Sequence, residues 1–281
     1  MTTRSLTALI PSLPVSDGAG VKLRRSLGHS QRLDPFLMLD EFASDNPDDY
    51  IAGFPPHPHR GFETVTYMLA GDFEHRDHLG HTGHLRGGGA QWMTAGRGII
   101  HSEMPLQKSG RLHGFQFWIN LPAAEKMKPA GYRDIQPEEI PEVTIPGGSV
   151  KVVAGTLDGV GHAPVPGPIQ GLSTAPLFLD VRLEAGAAFA QSVETGHTAF
   201  LYPYAGSLQV GDEGRTLPAR QAGVLSAGER IAVTAGNEGA SFLLLAARPL
   251  GEPVVQYGPF VMNTREEIEQ ALADYRDGTL A

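Results

Sequence analysis

The side chains best suited to chemistry in this sequence are two pairs of metal-binding residues, His57 with His59 and His101 with Glu103. Both pairs have the spacing i, i+2. In extended backbone such residues share a face, with their Cα atoms about 7 Å apart. Two imidazoles on one face can meet a single cation at about 2.0–2.1 Å from each nitrogen. If the two segments lie side by side in a β-barrel, three imidazoles and one carboxylate surround one point. A nitrogen-and-oxygen set without sulfur suits iron, manganese, nickel, copper or zinc. Protein ligands then fill four positions of an octahedral ion and leave two for water, substrate or dioxygen. One His-x-His alone is more often a surface or packing feature. The second pair, beside Gly-rich turns, gives the metal reading equal standing.

Such a centre needs strands to carry it, and the chain supplies them. From Gly61 onward the pattern is that of an all-β domain. Thr64–Leu69 (TVTYML) is β-branched and aromatic and ends at Ala70-Gly71-Asp72. Gln91–Thr94 reads as a strand that turns at Ala95–Gly98, and Gly114–Asn120 (GFQFWIN) as another. Pro122–Lys128 reads as one or two helical turns, with proline near the first helical position. Residues 134–147 carry three prolines and read as the connection between two domains. GHAPVPGPIQG at 161–171 reads as a rigid, exposed loop. Strands resume after Pro176 with LFLDVRL, HTAFLYPY, SLQV and SFLLLAA. Thr264-Arg-Glu-Glu267 is a capping box, which predicts a helix to about Tyr275 or Arg276 that stops at Asp277-Gly278. A weak internal repeat points to two similar β-domains in tandem. Tyr67–Gly71 (YMLAG) echoes Tyr202–Gly206 (YPYAG), and Thr94–Gly96 (TAG) echoes Ser226–Gly228 (SAG). The predicted domains are residues 1–135, carrying the metal, and residues 136–281, ending in the helix.

Composition removes several classes of function. Hydrophobic residues make up 41% and charged residues 19%, as in folded rather than disordered chains. With 35 glycines and 22 prolines, turns are frequent and short strands are favoured over long helices. The net charge is −9 and no dense run of Lys or Arg offsets it, which disfavours direct binding to nucleic acid but not to another protein. There is no cysteine, so disulfides, thiolate metal sites and cysteine nucleophiles are excluded. No apolar run approaches the ~20 residues that span a bilayer. The N-terminal segment, with two prolines, makes a poor signal peptide, and the protein reads as cytoplasmic.

His57–Thr64 (HPHRGFET) resembles the first cupin motif, in which His-x-His is followed by three residues and a Glu, and Gly98–His101 (GIIH) resembles the second. More closely, PFLMLDEF (35–42), HPHRGFET (57–64), QWMTAGRGIIHSEMP (91–105) and QYGPFVMNT (256–264) resemble blocks of the pirin family, in that family's order. GFQFWINLP (114–122) fits as well, and the resemblance covers nearly the whole chain. It implies a bicupin, two tandem jelly-roll-like β-barrels facing each other, with the metal in the N-terminal one. The implied ligands are His57, His59, His101 and Glu103. The general cupin motif would use Glu63, whereas the pirin pattern uses the carboxylate after the last histidine and leaves Glu63 a supporting role. Gly96 stands where the general second motif has proline, and no Asn follows His101; both departures fit the pirin pattern. Carried through the repeat, His57, His59 and Glu63 fall on Ser192, Glu194 and Thr198, and His101 and Glu103 on Val233 and Ala235. The C-terminal barrel is therefore expected to be structural, with His197 a packing or surface residue.

By this resemblance the chain is a metal-dependent dioxygenase that cleaves the ring of a flavonol such as quercetin. The cofactor is one divalent ion, read first as Fe(II), with Ni, Co, Mn, Cu or Zn also compatible. Lewis-acid action on the flavonol 3-hydroxyl would lower its pKa, and Glu103 is the catalytic candidate to accept the proton. The alternative is a non-enzymatic, metal-containing regulator that binds a transcription factor or a metabolic enzyme. Pure metal storage is disfavoured, because a structural ion rarely keeps open positions. The remaining features have plainer readings. His75, His78, His81 and His84 read as a polar loop interrupted by Gly80 and Gly83. His113 reads as packing. Phe54, Phe62, Phe115, Phe117 and Trp118 either line a flat pocket or fill the core, with core the default. Gln116, between Phe115 and Phe117, is a candidate to face the metal cavity.

Overall fold

Alternation of apolar and polar residues folds both halves of the chain into antiparallel sheets, and the computed structural model describes residues 1–158 and 163–281. The chain opens with β1 (Leu6–Pro11), β2 (Leu13–Asp17), β3 (Val21–Leu27) and β4 (Phe36–Ser44). Next come β5 (Phe54–His59), β6 (Phe62–Ala70), β7 (Phe73–Asp77) and β8 (Thr82–Leu85). Strands β9 (Ala90–Thr94), β10 (Ile99–Pro105), β11 (Leu112–Asn120) and β12 (Gly131–Ile135) complete the first half. The second half holds β13 (Glu142–Ile145), β14 (Gly148–Ala154), β15 (Thr156–Leu157), β16 (Val165–Pro166) and β17 (Leu177–Leu183). It continues through β18 (Ala188–Ser192), β19 (Thr198–Val210), β20 (Arg215–Pro218), β21 (Gln221–Leu225) and β22 (Arg230–Ala247). The chain closes with β23 (Val255–Tyr257), β24 (Phe260–Met262) and α1 (Arg265–Arg276).

Two compact units result. One comprises residues 13–138 and 250–281, the other residues 1–12 and 139–249. The internal boundary lies close to the residue expected from the proline-rich connection, but both termini cross over. Strand β1 pairs antiparallel with β21, Ile10 opposite Ala222, and so extends the sheet of the second unit. The buried Arg4 fixes this arrangement by donating to the carbonyls of Gly228, His197 and Glu194. The C-terminal helix packs in the first unit, not the second. Its buried Ile268 and Ala271 meet Phe260, Met262, Leu280 and Ile100. The expected extents of 1–135 and 136–281 are thus corrected at both ends.

The helix itself follows its sequence signals. Thr264 accepts from the Glu267 amide, and Glu267 returns a bond to the Thr264 amide. Asp277 forms the C-cap and Gly278 follows at φ 71°. The expected turns at 122–128 shrink to one 3-10 turn, Ala123–Glu125. Of the loop expected at 161–171, Gly161 and His162 lie outside the described residues. The rest is less exposed than expected, because β16 pairs with β15 and Ile169 is buried. Among the described residues no helix is long and apolar enough to cross a membrane.

The first unit holds a seven-stranded sheet, β12-β9-β6-β11-β4-β3-β2, and a four-stranded sheet, β5-β10-β7-β8. In the second, β1-β21-β19-β22-β17-β14-β13 forms the main sheet. Its core is a continuous apolar cluster that includes Leu179, Leu201, Leu208, Ile231, Val233, Ala235, Phe242 and Leu244.

Candidate metal centre

Strands β5 and β10 run antiparallel and bring the two distant pairs together. His101 lies opposite His57, and Ile99 opposite His59. A bulge between His101 and Glu103 shifts the register, so that Glu103 lies opposite Phe54. On the other side of β10, Glu103 faces His75 of β7.

The turn after His59 is clamped by the C-terminal segment. Gly61 adopts φ 90°, and a Cβ there would overlap the carbonyl oxygen of Val261. Buried Arg60 donates through Nε to the Arg97 carbonyl and through Nη1 to Asp274 at 2.7 Å. Buried Lys126 uses all three ammonium protons, reaching the Gly61 carbonyl at 2.6 Å, Asn120 Oδ1 at 2.6 Å and the Val261 carbonyl at 3.0 Å. Its acceptors are all neutral, and burial pushes Lys126 down to about 8. The block QYGPFVMNT thus lies beside the block HPHRGFET because one braces the other.

The three imidazoles converge, with ligand atoms all within 4.8 Å of one another. Ring centroids are 4.7 Å apart for His57 and His59, 4.4 Å for His57 and His101, and 4.9 Å for His59 and His101. His57 Nδ1 lies 2.8 Å from the Pro55 carbonyl, so its Nε2 is left free. His59 Nδ1 and His101 Nε2 are buried without any hydrogen-bond partner. Burial, and the neighbouring imidazoles after it, hold His59 and His101 well below the usual histidine range. Both rings are therefore neutral at physiological pH and present lone pairs. Buried nitrogens with nothing to bond are costly unless a ligand completes them. Three imidazoles with their ligand atoms this close, two of them with unpartnered buried nitrogens, form the donor set that a divalent ion takes, so the residues fit an ion.

Glu103 is buried on the same strand, but it is not one of the three clustered groups. Thr66 Oγ1 lies 2.8 Å from Glu103 Oε1 and 2.6 Å from Gln116 Oε1. A hydroxyl has one proton to donate, and the carboxylate is the stronger acceptor of the two. Glu103 Oε2 is then the oxygen left for other work. His57, His59, Thr66, Glu103 and Gln116 all line a cavity of about 830 Å³. Its walls are largely apolar, with Leu23, Met38, Phe42, Phe54, Phe73 and Trp118.

Gln116 faces the cavity, as expected. Among the aromatics, Phe54 and Trp118 line it, whereas Phe62, Phe115 and Phe117 are fully buried elsewhere. Glu63 points away from the cavity, buried and bonded by Thr94 Oγ1 at 2.8 Å. His113 is no ligand and sits 3.0 Å from Glu41. The four-histidine stretch divides. His78, His81 and His84 are exposed, but His75 is buried on β7 with Nε2 3.0 Å from His101 Nδ1. A polar-loop reading missed it. The signal that could have found it is alternation, since Phe73, His75 and Asp77 share one face of a strand. Arg60 and Lys126 carried no such signal.

Known proteins show the same organisation. Residues 20–119 match the sequence profile of a family described as Pirin, and residues 178–281 match one described as Pirin C-terminal cupin domain. The chain is 53% identical to "Putative quercetin 2,3-dioxygenase" of Pseudomonas aeruginosa, over 99% of this chain and 98% of that one. It is 41% identical to Pirin of Homo sapiens, over 98% of this chain and 93% of that one. The crystal structure of quercetin 2,3-dioxygenase from Acinetobacter baumannii superposes with a TM-score of 0.91 at 30% identity, covering 100% of this chain and 99% of that one.

Proposed function

Because the chain belongs to the pirin family and has its bicupin fold, we propose that it is a metal-dependent dioxygenase that opens the ring of a flavonol such as quercetin. One divalent ion, Fe(II) first, would be held by His57, His59, His101 and Glu103. The observation that carries this reading is the convergence of three imidazoles, His59 and His101 with unpartnered buried nitrogens, at a largely apolar cavity that His57 and His59 line.

When bound, the ion supplies Lewis acidity toward the flavonol 3-oxygen and, if redox-active, a route for electrons to dioxygen. The chain supplies the rest. Phe54, Phe42, Met38 and Trp118 offer flat apolar surface that orients fused rings and keeps water from them. Glu103 Oε2 is the proton acceptor for the 3-hydroxyl, while Thr66 fixes Oε1 and with it the plane of the carboxylate. Buried His59 and His101 stay neutral, so they do not compete for that proton.

The test is anaerobic loading with Fe(II), then quercetin, then air. Loss of the flavonol absorbance with release of carbon monoxide, abolished by His59→Ala, is the expected result. Absence of turnover with Fe, Ni, Co, Mn and Cu alike would sink the enzymatic reading in favour of a metal-containing binding protein.

A further inference from the structure

The cavity has a second polar end, away from the histidines. Inward-facing residues form a row across neighbouring strands of the seven-stranded sheet. Thr66 on β6 lies opposite Gln116 on β11, Gln116 opposite Asp40 on β4, and Asp40 opposite Arg25 on β3. Three strand spacings of about 4.8 Å separate Thr66 from Arg25 along the sheet, roughly 14 Å, and less across a curved wall. Thr66 touches Glu103, so Arg25 marks the opposite end of a span that fused rings can bridge. Arg25, Asp40 and Asp17 all line the cavity.

This end is built rather than incidental. Arg25 donates through Nε to Asp40 Oδ1 at 2.7 Å and through Nη2 to Asp40 Oδ2 at 2.6 Å. Nη2 also reaches Asp17 Oδ2 at 2.7 Å, and Asp17 Oδ1 accepts from the Gly18 amide at 2.8 Å. The Asp40 side chain is only 3% exposed. Nη1 of Arg25 has no partner among the described residues. One guanidinium and two carboxylates sum to a charge of −1, which repels a carboxylate or phosphate arriving at this end. Arg25 and Asp17 are partly exposed, so Nη1 is open to an acceptor and the remaining carboxylate lone pairs to a donor. A hydroxyl group is both.

We propose that Arg25, Asp40 and Asp17 form a hydroxyl-recognition subsite, which selects an elongated neutral substrate bearing a hydroxyl at the end remote from the three histidines. The choice of aromatic scaffold rests on the flavonol reading; the polarity of the far end does not.

Binding tests this without turnover. The full chain, loaded with Co(II) under nitrogen, is titrated by fluorescence with 3-hydroxyflavone, with its 4′-hydroxy and 7-hydroxy derivatives, and with its 4′-carboxy and 7-carboxy derivatives. One hydroxy derivative should bind roughly tenfold more tightly than 3-hydroxyflavone, as expected for a hydrogen bond to a charged group, and its carboxy counterpart less tightly. In Arg25→Met the hydroxyl advantage should vanish while 3-hydroxyflavone still binds. That variant leaves Asp40 buried without its cation, so Arg25→Met with Asp40→Leu is made in parallel. If neither folds, the ligand series on the unaltered protein decides. Metal-dependent binding that ignores the hydroxyl overturns the subsite and leaves the flavonol reading intact. No metal-dependent binding of any compound overturns both.

Discussion

Replacing His75 with leucine should weaken metal binding by about 10- to 100-fold and leave the metal-free protein almost as stable as before. His101 Nε2 can offer a lone pair to an ion only if its proton sits on Nδ1. That proton then needs an acceptor, and His75 Nε2 lies 3.0 Å away, both rings buried. In the same tautomer His75 carries its own proton on Nδ1, which is buried without a partner. The metal-free fold therefore gains about 1 kcal/mol from the His75–His101 bond and loses about as much through the orphaned Nδ1. Leucine, of similar bulk, removes both terms, and without an ion the single proton of His101 can sit on either ring nitrogen. With metal bound Nε2 is taken, so the proton is pinned on Nδ1, buried with no acceptor, and the loss falls on the bound state. A 10- to 100-fold change corresponds to about 1.4–2.7 kcal/mol. Competition between the protein and a chelator for Co(II), read from the ligand-field absorption, gives the affinity; thermal unfolding with and without the ion gives the stability. His75→Gln, whose amide oxygen can accept the same bond, should restore most of the affinity. Unchanged affinity in His75→Leu, or an equal loss in His75→Gln, would refute the orienting role.

Thr66→Val should lower kcat by about tenfold while the metal content per chain holds, because Glu103 loses the hydroxyl that orients it. Initial rates and elemental analysis check this, and an unchanged kcat would count against Glu103 as the base. Gly61→Ala should destabilise the fold by on the order of 3 kcal/mol or prevent its expression, since the added methyl meets the Val261 carbonyl at positive φ. Chemical denaturation reads the loss, and near-parental stability would mean that the turn can move. Lys126 titrates at about 8 in the fold and near 10.5 unfolded, so between these values the unfolded chain holds more protons and stability rises with pH. Relative to Lys126→Met, the metal-free protein should gain up to about 3 kcal/mol from pH 8 to above 10 in urea unfolding. A flat difference would mean that the ammonium is not strained by burial.

Much of this site was legible because its candidate ligands obey strand periodicity. His57 with His59 and His101 with Glu103 each repeat at two residues, and that spacing survives folding unless a bulge intervenes. One does intervene, between His101 and Glu103, and Glu103 is the residue that stands apart from the histidine cluster. His75 escaped notice because glycines on its C-terminal side made the stretch look like loop, although the strand ends at Asp77, before the first of them. The helix was readable from its own caps, which are local. The unit it joins was not, because that depends on Ile268 and Ala271 finding Phe260 and Ile100, contacts that no local pattern encodes. The same holds for β1, whose partner β21 lies more than two hundred residues away and is chosen by a free sheet edge.

Why three imidazoles cluster in one barrel while an apolar core fills the other follows from what faces inward. In the first, Thr66, Gln116 and Asp40 put hydrogen-bonding groups in a row across three strands, and three imidazole nitrogens, of His59, His75 and His101, are buried without partners. Burying so many polar groups is tolerable only where they bond one another or a ligand. In the second, the repeat carries His101 and Glu103 onto Val233 and Ala235, and both are buried in the apolar cluster with Leu208, Ile231 and Phe242. A filled apolar interior offers an ion neither a ligand nor hydration, and it needs none to be stable. The polar row thus sets the first interior apart from the second. Only joint apolar replacement along the row would move the first unit toward the second; a single change such as Thr66→Val leaves the buried Glu103 carboxylate without its donor and lowers stability as well as activity.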